Sequence, residues 1–170
     1  MCCIIQTKVV KSGALFNKNG LKWRKRGENS MLYGGYEHTV DKKGRVFVPS
    51  KFRDDLGEEF IICRGISGKR CLCIYPNYEW EKLVAKISEL PSSQASGLKR
   101  FIFDGAFNVE FDSQGRIVIP PSLREYSQLQ GNAHLIGMNN YIELWSSELW
   151  SAEDTYTPEQ VFADADKFQL

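Results

Sequence analysis

The residues of this chain best equipped for chemistry are an aspartate and an arginine set across a glycine turn, and they occur twice. Val40-Asp41-Lys42-Lys43-Gly44-Arg45-Val46-Phe47-Val48-Pro49 is matched by Phe111-Asp112-Ser113-Gln114-Gly115-Arg116-Ile117-Val118-Ile119-Pro120. The two align without a gap from Thr39/Glu110 to Arg53/Arg124 at a constant offset of 71. An arginine at a turn offers a planar fork of donors that fits guanine O6/N7 or two phosphate oxygens. An aspartate there cannot favour a phosphate; its chemistry is to accept turn amides or to hold the arginine. The same composition also describes an ordinary solvated turn. The motif alone leaves both readings open.

Other chemistries find less support. His38 and His134 are the only histidines, they fall at unequivalent positions of the repeat, and no Ser, Cys or carboxylate accompanies either at a catalytic spacing. An enzyme is therefore not expected. The five cysteines are an odd number without C-x-x-C spacing. Cys71 and Cys73 share one strand face and with Cys63 imitate part of a metal site, but no fourth Cys or His pattern completes it. Reduced thiols, no metal and no cofactor are expected. Gly65-Ile66-Ser67-Gly68 matches the GXXG pattern of KH domains but joins apolar strand-like runs rather than helices. Gly68-Lys69-Arg70 lacks the spacing of a phosphate-binding loop. Both read as one polar hairpin loop.

The elements that must position the motif are also duplicated. Each copy reads as strand, tight turn, strand and short helix, with Gly44 and Gly115 where the turn needs positive φ. Pro49 and Pro120 close the second strands at the first turn of a helix, and Phe52 and Leu123 match as the buried helical positions. Phe60–Cys63 and His134–Ile136 read as third strands, and Cys71–Tyr75 and Tyr141–Trp145 as fourth strands. Helices follow, capped by Asn77 and by Ser146 or Ser147, with Trp80 and Trp150 in their first turns. Trp80, Leu83, Val84, Ile87 and Leu90 form a core stripe. Pro91–Ser96 is the one linker-like stretch, Leu98–Phe107 a helical connector, and Thr157-Pro158-Glu159-Gln160 announces a terminal helix with a capping box. A lone copy cannot bury its apolar face, so the copies are expected to pack as a pseudo-symmetric pair in one composite domain.

Charge is divided unevenly. Residues 1–30 carry net +6, and the remainder carries net −5. A nucleic-acid-binding surface on that remainder must be local, and it gains from repetition in an oligomer. No apolar run approaches the ~18 residues that span a bilayer, and residues 1–8 lack the layout of a secretion signal.

The paired Asp-x-x-Gly-Arg turns, each followed by a Val/Ile-rich strand and Pro, in tandem halves each ending in a Trp-bearing helix, closely resemble the MraZ family of bacterial regulators of the division and cell-wall gene cluster. The resemblance covers Met31 to about Trp150. It implies an α+β fold, a duplicated swapped-hairpin AbrB-like β-barrel core with flanking helices. It further implies a ring-shaped homo-oligomer that binds direct repeats in promoter DNA through the turns, in the cytoplasm and associated with the nucleoid, without membrane or small-molecule partners. Carried onto this chain, the resemblance makes Arg45 and Arg116 the main DNA contacts, with Lys43, Lys42 and Gln114 beside them. Asp41, Gly44, Asp112 and Gly115 then support the turns. Ser113-Gln114 replaces Lys42-Lys43, so the second turn contributes less salt-dependent affinity. Lys51 and Arg53, with their matches Ser122 and Arg124, either line the same surface or are ordinary exposed positions. The alternative class is an antitoxin-like or scaffold module of the same fold that binds a protein.

The expected organisation is an extension over 1–30, a first half over 31–90, a connector over 91–109, a second half over 110–154 and a tail over 155–170. The extension is either a disordered basic arm or the product of a mis-assigned start with translation beginning at Met31. Arg26-Gly27-Glu28-Asn29-Ser30 can be encoded by AGA-GGA-GAA-AAY-TCN, a purine-rich ribosome-binding sequence just before that Met codon.

Overall fold

In the computed structural model of the chain, which describes residues 31–153 and 157–168, each motif copy keeps its turn but not its hairpin. Strand β1 (Leu32–Val40) enters the first turn, β2 (Arg45–Phe47) leaves it, and α1 (Ser50–Leu56) follows. In the second copy these elements are β5 (Phe107–Glu110), β6 (Arg116–Val118) and α4 (Pro121–Tyr126). The turns close as tight loops, with Asp41 N donating to Arg45 O at 2.9 Å and Asp112 N to Arg116 O at 2.8 Å. Beyond that point the flanking strands part. β1 pairs antiparallel with β7 (Gly131–Asn139), β5 with β3 (Glu59–Arg64), and β2 with β6. The two strands of each motif copy therefore do not pair with one another. The reason is burial: β2 and β6 turn only Val46 and Ile117 inward, and crossing between copies seals both under a common core.

The sheet shows the duplication directly. β4 (Leu72–Pro76) and β8 (Ile142–Ser146) complete a six-stranded order β1-β7-β8-β4-β3-β5 among the described residues. Exchanging each strand for its counterpart in the other copy gives the same order read from the opposite end. The pseudo-two-fold axis runs between β8 and β4, where Leu72 faces Leu144 and Ile74 faces Ile142, and between β2 and β6. One cluster contains Val46, Phe52, Phe60 and Ile62 with Ile117, Leu123, Leu135 and Leu144, so the copies share one core. Each such buried side chain contributes about 1.5–3 kcal/mol of transfer free energy.

The helices depart from expectation in detail. Pro49 and Pro120 occupy the cap positions, one residue earlier than the first turn, in extended conformation (ψ 141° and 142°). Helix α2 (Asn77–Glu89) begins at Asn77 itself, after Pro76, without a side-chain cap. Helix α5 (Ser147–Glu153) is capped by Ser146, whose Oγ accepts from Leu149 N at 3.3 Å. The stripe on α2 is only partly core. Ile87 is buried, but Trp80 and Leu83 are half-buried around Cys63, Cys73 and Tyr75, and Leu90 is 40% exposed, because α2 lies on the sheet's second, thinner face. The linker-like Pro91–Ser96 is helical: Pro91 caps α3 (Ser92–Asp104), and burial of Ala95 and Ile102 overrides the Ser-rich composition. Thr157 and Gln160 exchange both hydrogen bonds of a capping box, at 3.0 and 3.3 Å, and open α6 (Pro158–Phe168). The expectations for residues 1–30 lie outside the described residues.

Candidate nucleic-acid interface

Each aspartate holds its turn from inside. Asp41 Oδ1 accepts from the amides of Lys43 (2.8 Å) and Arg45 (2.9 Å), while Oδ2 accepts from Arg45 Nε (2.6 Å). Asp112 repeats the pattern with Gln114 N (2.9 Å), Arg116 N (2.9 Å) and Arg116 Nε (2.8 Å). The carboxylates are the favoured forms. The Arg45 amide holds Asp41 below the usual carboxylate range, and the Arg116 side chain, followed by its amide, pulls Asp112 down to about 2. Gly44 and Gly115 take φ of 77° and 73°, the left-handed region in which a Cβ is costly.

The fold places the two arginines on one ribbon. Arg45 pairs with Val118 and Phe47 with Arg116, so Arg45 and Arg116 are diagonal neighbours, roughly 7–8 Å apart by strand geometry. Strand alternation sends Val46 and Ile117 to the core and leaves Arg45, Phe47, Arg116 and Val118 on the outer face. Phe47 (37% exposed) and Val118 (54%) form the apolar part of this face. Their place two residues after each arginine is the signal that marks them in the sequence. Lys42, Lys43, Ser113 and Gln114 are exposed at the turn tips, which lie at opposite ends of the ribbon. Each guanidinium is fixed at Nε by its aspartate before any partner arrives, which lowers the ordering cost of a phosphate or base-edge contact.

The positions after the motif separate in role. Lys51 stays exposed with Nζ 3.4 Å from the centre of the Tyr33 ring, and Ser122 is exposed. Arg53 and Arg124 instead lie half-buried against the turns of the opposite copies: a Cβ at Gly44 would lie 2.8 Å from Arg124 Cζ, and one at Gly115 would lie 2.7 Å from Arg53 Cζ.

The remaining reactive groups lie away from the ribbon. Cys71 and Cys73 bring their sulfurs within 4.8 Å of each other and of a Glu143 oxygen, a carboxylate that a search for Cys and His spacing passes over. A hydrogen bond from Cys73 lowers the Cys71 thiol's pKa; that same bond and burial raise Cys73, and burial pushes Cys63 up to about 12. Glu143 also accepts from the Trp145 indole at 2.9 Å. His38 and His134 come to neighbouring strands, one residue out of register and so on opposite faces. Among the described residues, no helix is long and apolar enough to cross a membrane.

Fold and site define a class: duplicated α+β proteins whose copies interlock in one sheet and set paired Asp–Arg turns on a shared ribbon. Residues 31–98 and 102–168 each match the family described as "MraZ protein, putative antitoxin-like", and the chain belongs to that family. It is 48% identical over 133 residues to the transcriptional regulator MraZ of Halothermothrix orenii, covering 74% of this chain and 92% of that one. The protein of the same name from Caldicellulosiruptor saccharolyticus is 49% identical over 125 residues, covering 72% and 86%. That from Lachnoclostridium phytofermentans is 40% identical over 141 residues, covering 82% and 99%.

Proposed function

We propose that this protein is a DNA-binding transcriptional regulator that reads promoter direct repeats through the β2–β6 ribbon. The observation that carries the reading is the meeting of Arg45 and Arg116, each braced by its own aspartate, on one exposed face built from both copies. A two-stranded ribbon fits the major groove, where a forked donor pair matches guanine O6/N7. Lys42, Lys43 and Gln114 flank the arginines as phosphate or base contacts, while Phe47 and Val118 suit thymine methyl groups. The crossed pairing of β2 with β6 supports a swapped-hairpin arrangement of the AbrB-like kind. Its halves are residues 31–90 and 110–154, joined by 91–109 and followed by the tail 155–170.

The regulated genes are those of the division and cell-wall cluster, and the active species is a ring of protomers presenting identical ribbons to one duplex. The test is a mobility-shift titration against the DNA upstream of the gene, comparing the natural protein with Arg45→Ala and Arg116→Ala. Sequence-selective, salt-dependent binding that weakens in both variants supports the reading; binding indifferent to both overturns it. A second reading, an antitoxin-like module, draws on α6. Val161, Phe162 and Phe168 stand 51%, 68% and 74% exposed there. Capture of a defined protein that depends on α6 and not on the ribbon arginines favours that reading.

A further inference from the structure

Two arginines outside the Asp–Arg motif stand in one reciprocal arrangement. Arg53, on α1 of the first copy, lies against Gly115 in the second turn; Arg124, on α4 of the second copy, lies against Gly44 in the first turn. A Cβ at Gly115 would run into Arg53 Nη1 and lie 2.7 Å from Cζ. One at Gly44 would lie 2.6 Å from Arg124 Nε and 2.8 Å from Cζ. These contacts leave no room for a methyl group, so each guanidinium occupies the space that the missing side chain vacates. The backbone repeats the crossing: Val48 N donates to Gly115 O at 3.1 Å, and Ile119 N donates to Gly44 O at 2.8 Å.

The arrangement carries a cost that hydrogen bonding does not explain. Among the described residues, the buried side-chain polar atoms without a hydrogen-bond partner are Arg53 Nε and Arg124 Nε. A buried unpaired donor is unfavourable, and here it recurs at both pseudo-equivalent sites. What the pair gains instead is stacking of a flat guanidinium on a glycine face, a contact that a lysine ammonium cannot reproduce. Arg53 is held further by the Phe47 ring, 5.4 Å from its Cζ, on the strand that faces Arg116.

We propose that Arg53 and Arg124 are positioning residues, each clamping the Asp-x-x-Gly turn of the opposite copy. The crossing makes the glycines necessary twice over, once for positive φ and once to admit the clamp. It also ties each turn to a helix of the opposite copy, the second turn to α1 and the first to α4. For DNA contact the inference rests on the proposed ribbon, but the clamp is a property of the folded chain and is tested without DNA.

Hydrogen exchange on the full chain reads it directly. Arg53→Ala is expected to speed exchange in the 112–116 segment by roughly tenfold or more through local opening, while 41–45 stays within error; Arg124→Ala gives the converse. Arg53→Lys behaves as Arg53→Ala if stacking is the cause. Loosening of the variant's own turn, equal loosening of both turns, or full rescue by lysine overturns the proposal. Should Arg53→Ala fail to fold, Gly115→Ala with Arg53 retained is read in the same segment, and undisturbed exchange there counts against the clamp. In DNA titrations, Arg53→Ala and Arg116→Ala combine less than additively, whereas Arg53→Ala and Arg45→Ala add. A crosswise exchange pattern with unchanged DNA affinity keeps the clamp and removes the DNA reading.

Discussion

Asp41 and Asp112 set the geometry of the arginines more than any charge count does. Each carboxylate binds two amides and its own arginine Nε, so the arginine and the turn are held together as one unit. The turns still differ, since Lys42-Lys43 in one stands where Ser113-Gln114 stands in the other. Arg45→Ala is therefore expected to weaken promoter binding more than Arg116→Ala, by roughly 1–3 kcal/mol for a lost bidentate contact; equal losses in mobility-shift titrations would refute this. Acid supplies a second test at the same scale. Asp112 is held at about 2, below an unfolded value of ~3.9. Its support for the turn is complete above the unfolded value and is lost as pH falls through the folded one. NMR titration should show the Gln114 and Arg116 amides shifting as pH approaches 2, and Asp112→Asn should abolish that step.

At the scale of elements, strands β2 and β6 matter because they are too short to stand alone. Three residues with one inward side chain each cannot form a stable hairpin with a neighbour of their own copy. The interlocked pairing predicts that residues 31–90 by themselves do not fold, because β1 and β3 lose β7 and β5; a cooperative melt of that fragment by circular dichroism would contradict it. Phe52→Ala should cost about 3–5 kcal/mol and lower a single transition shared by both copies, as followed by denaturant titration. Much of this was legible in the residues: the turns, their glycines, strands three and four and the capping box all follow from local chemistry. Partner choice was not, because Val46 alternates identically whether its strand pairs within its copy or across it. Nor was α3, whose Ser-rich start is helical only because Ala95 and Ile102 find a buried surface. In the candidate site the motif singled out Arg45 and Arg116, while their meeting on one ribbon needed the fold.

For the whole molecule, affinity for a polyanion turns on avidity. Residues beyond the first 30 carry net −5, so a single ribbon with few cations is a weak ligand for a polyanion. Several ribbons in one assembly turn later contacts into intramolecular ones. Affinity is expected to rise steeply with the number of tandem repeats offered, and an isolated repeat that binds as tightly as the full array would exclude the multivalent mechanism.

The near-symmetry of the sheet has a directional consequence. Two identical chains related by a true two-fold axis present the same face after rotation, and their preferred sites are inverted repeats. Here both copies lie in one chain, so each turn is free to drift without spoiling a partner, and they have drifted at 42–43 and 113–114. A ribbon with lysines at one end and serine and glutamine at the other has a heading along the double helix. Its preferred sites should all point the same way, and reversing one repeat in an array should cost more than mutating a base between repeats.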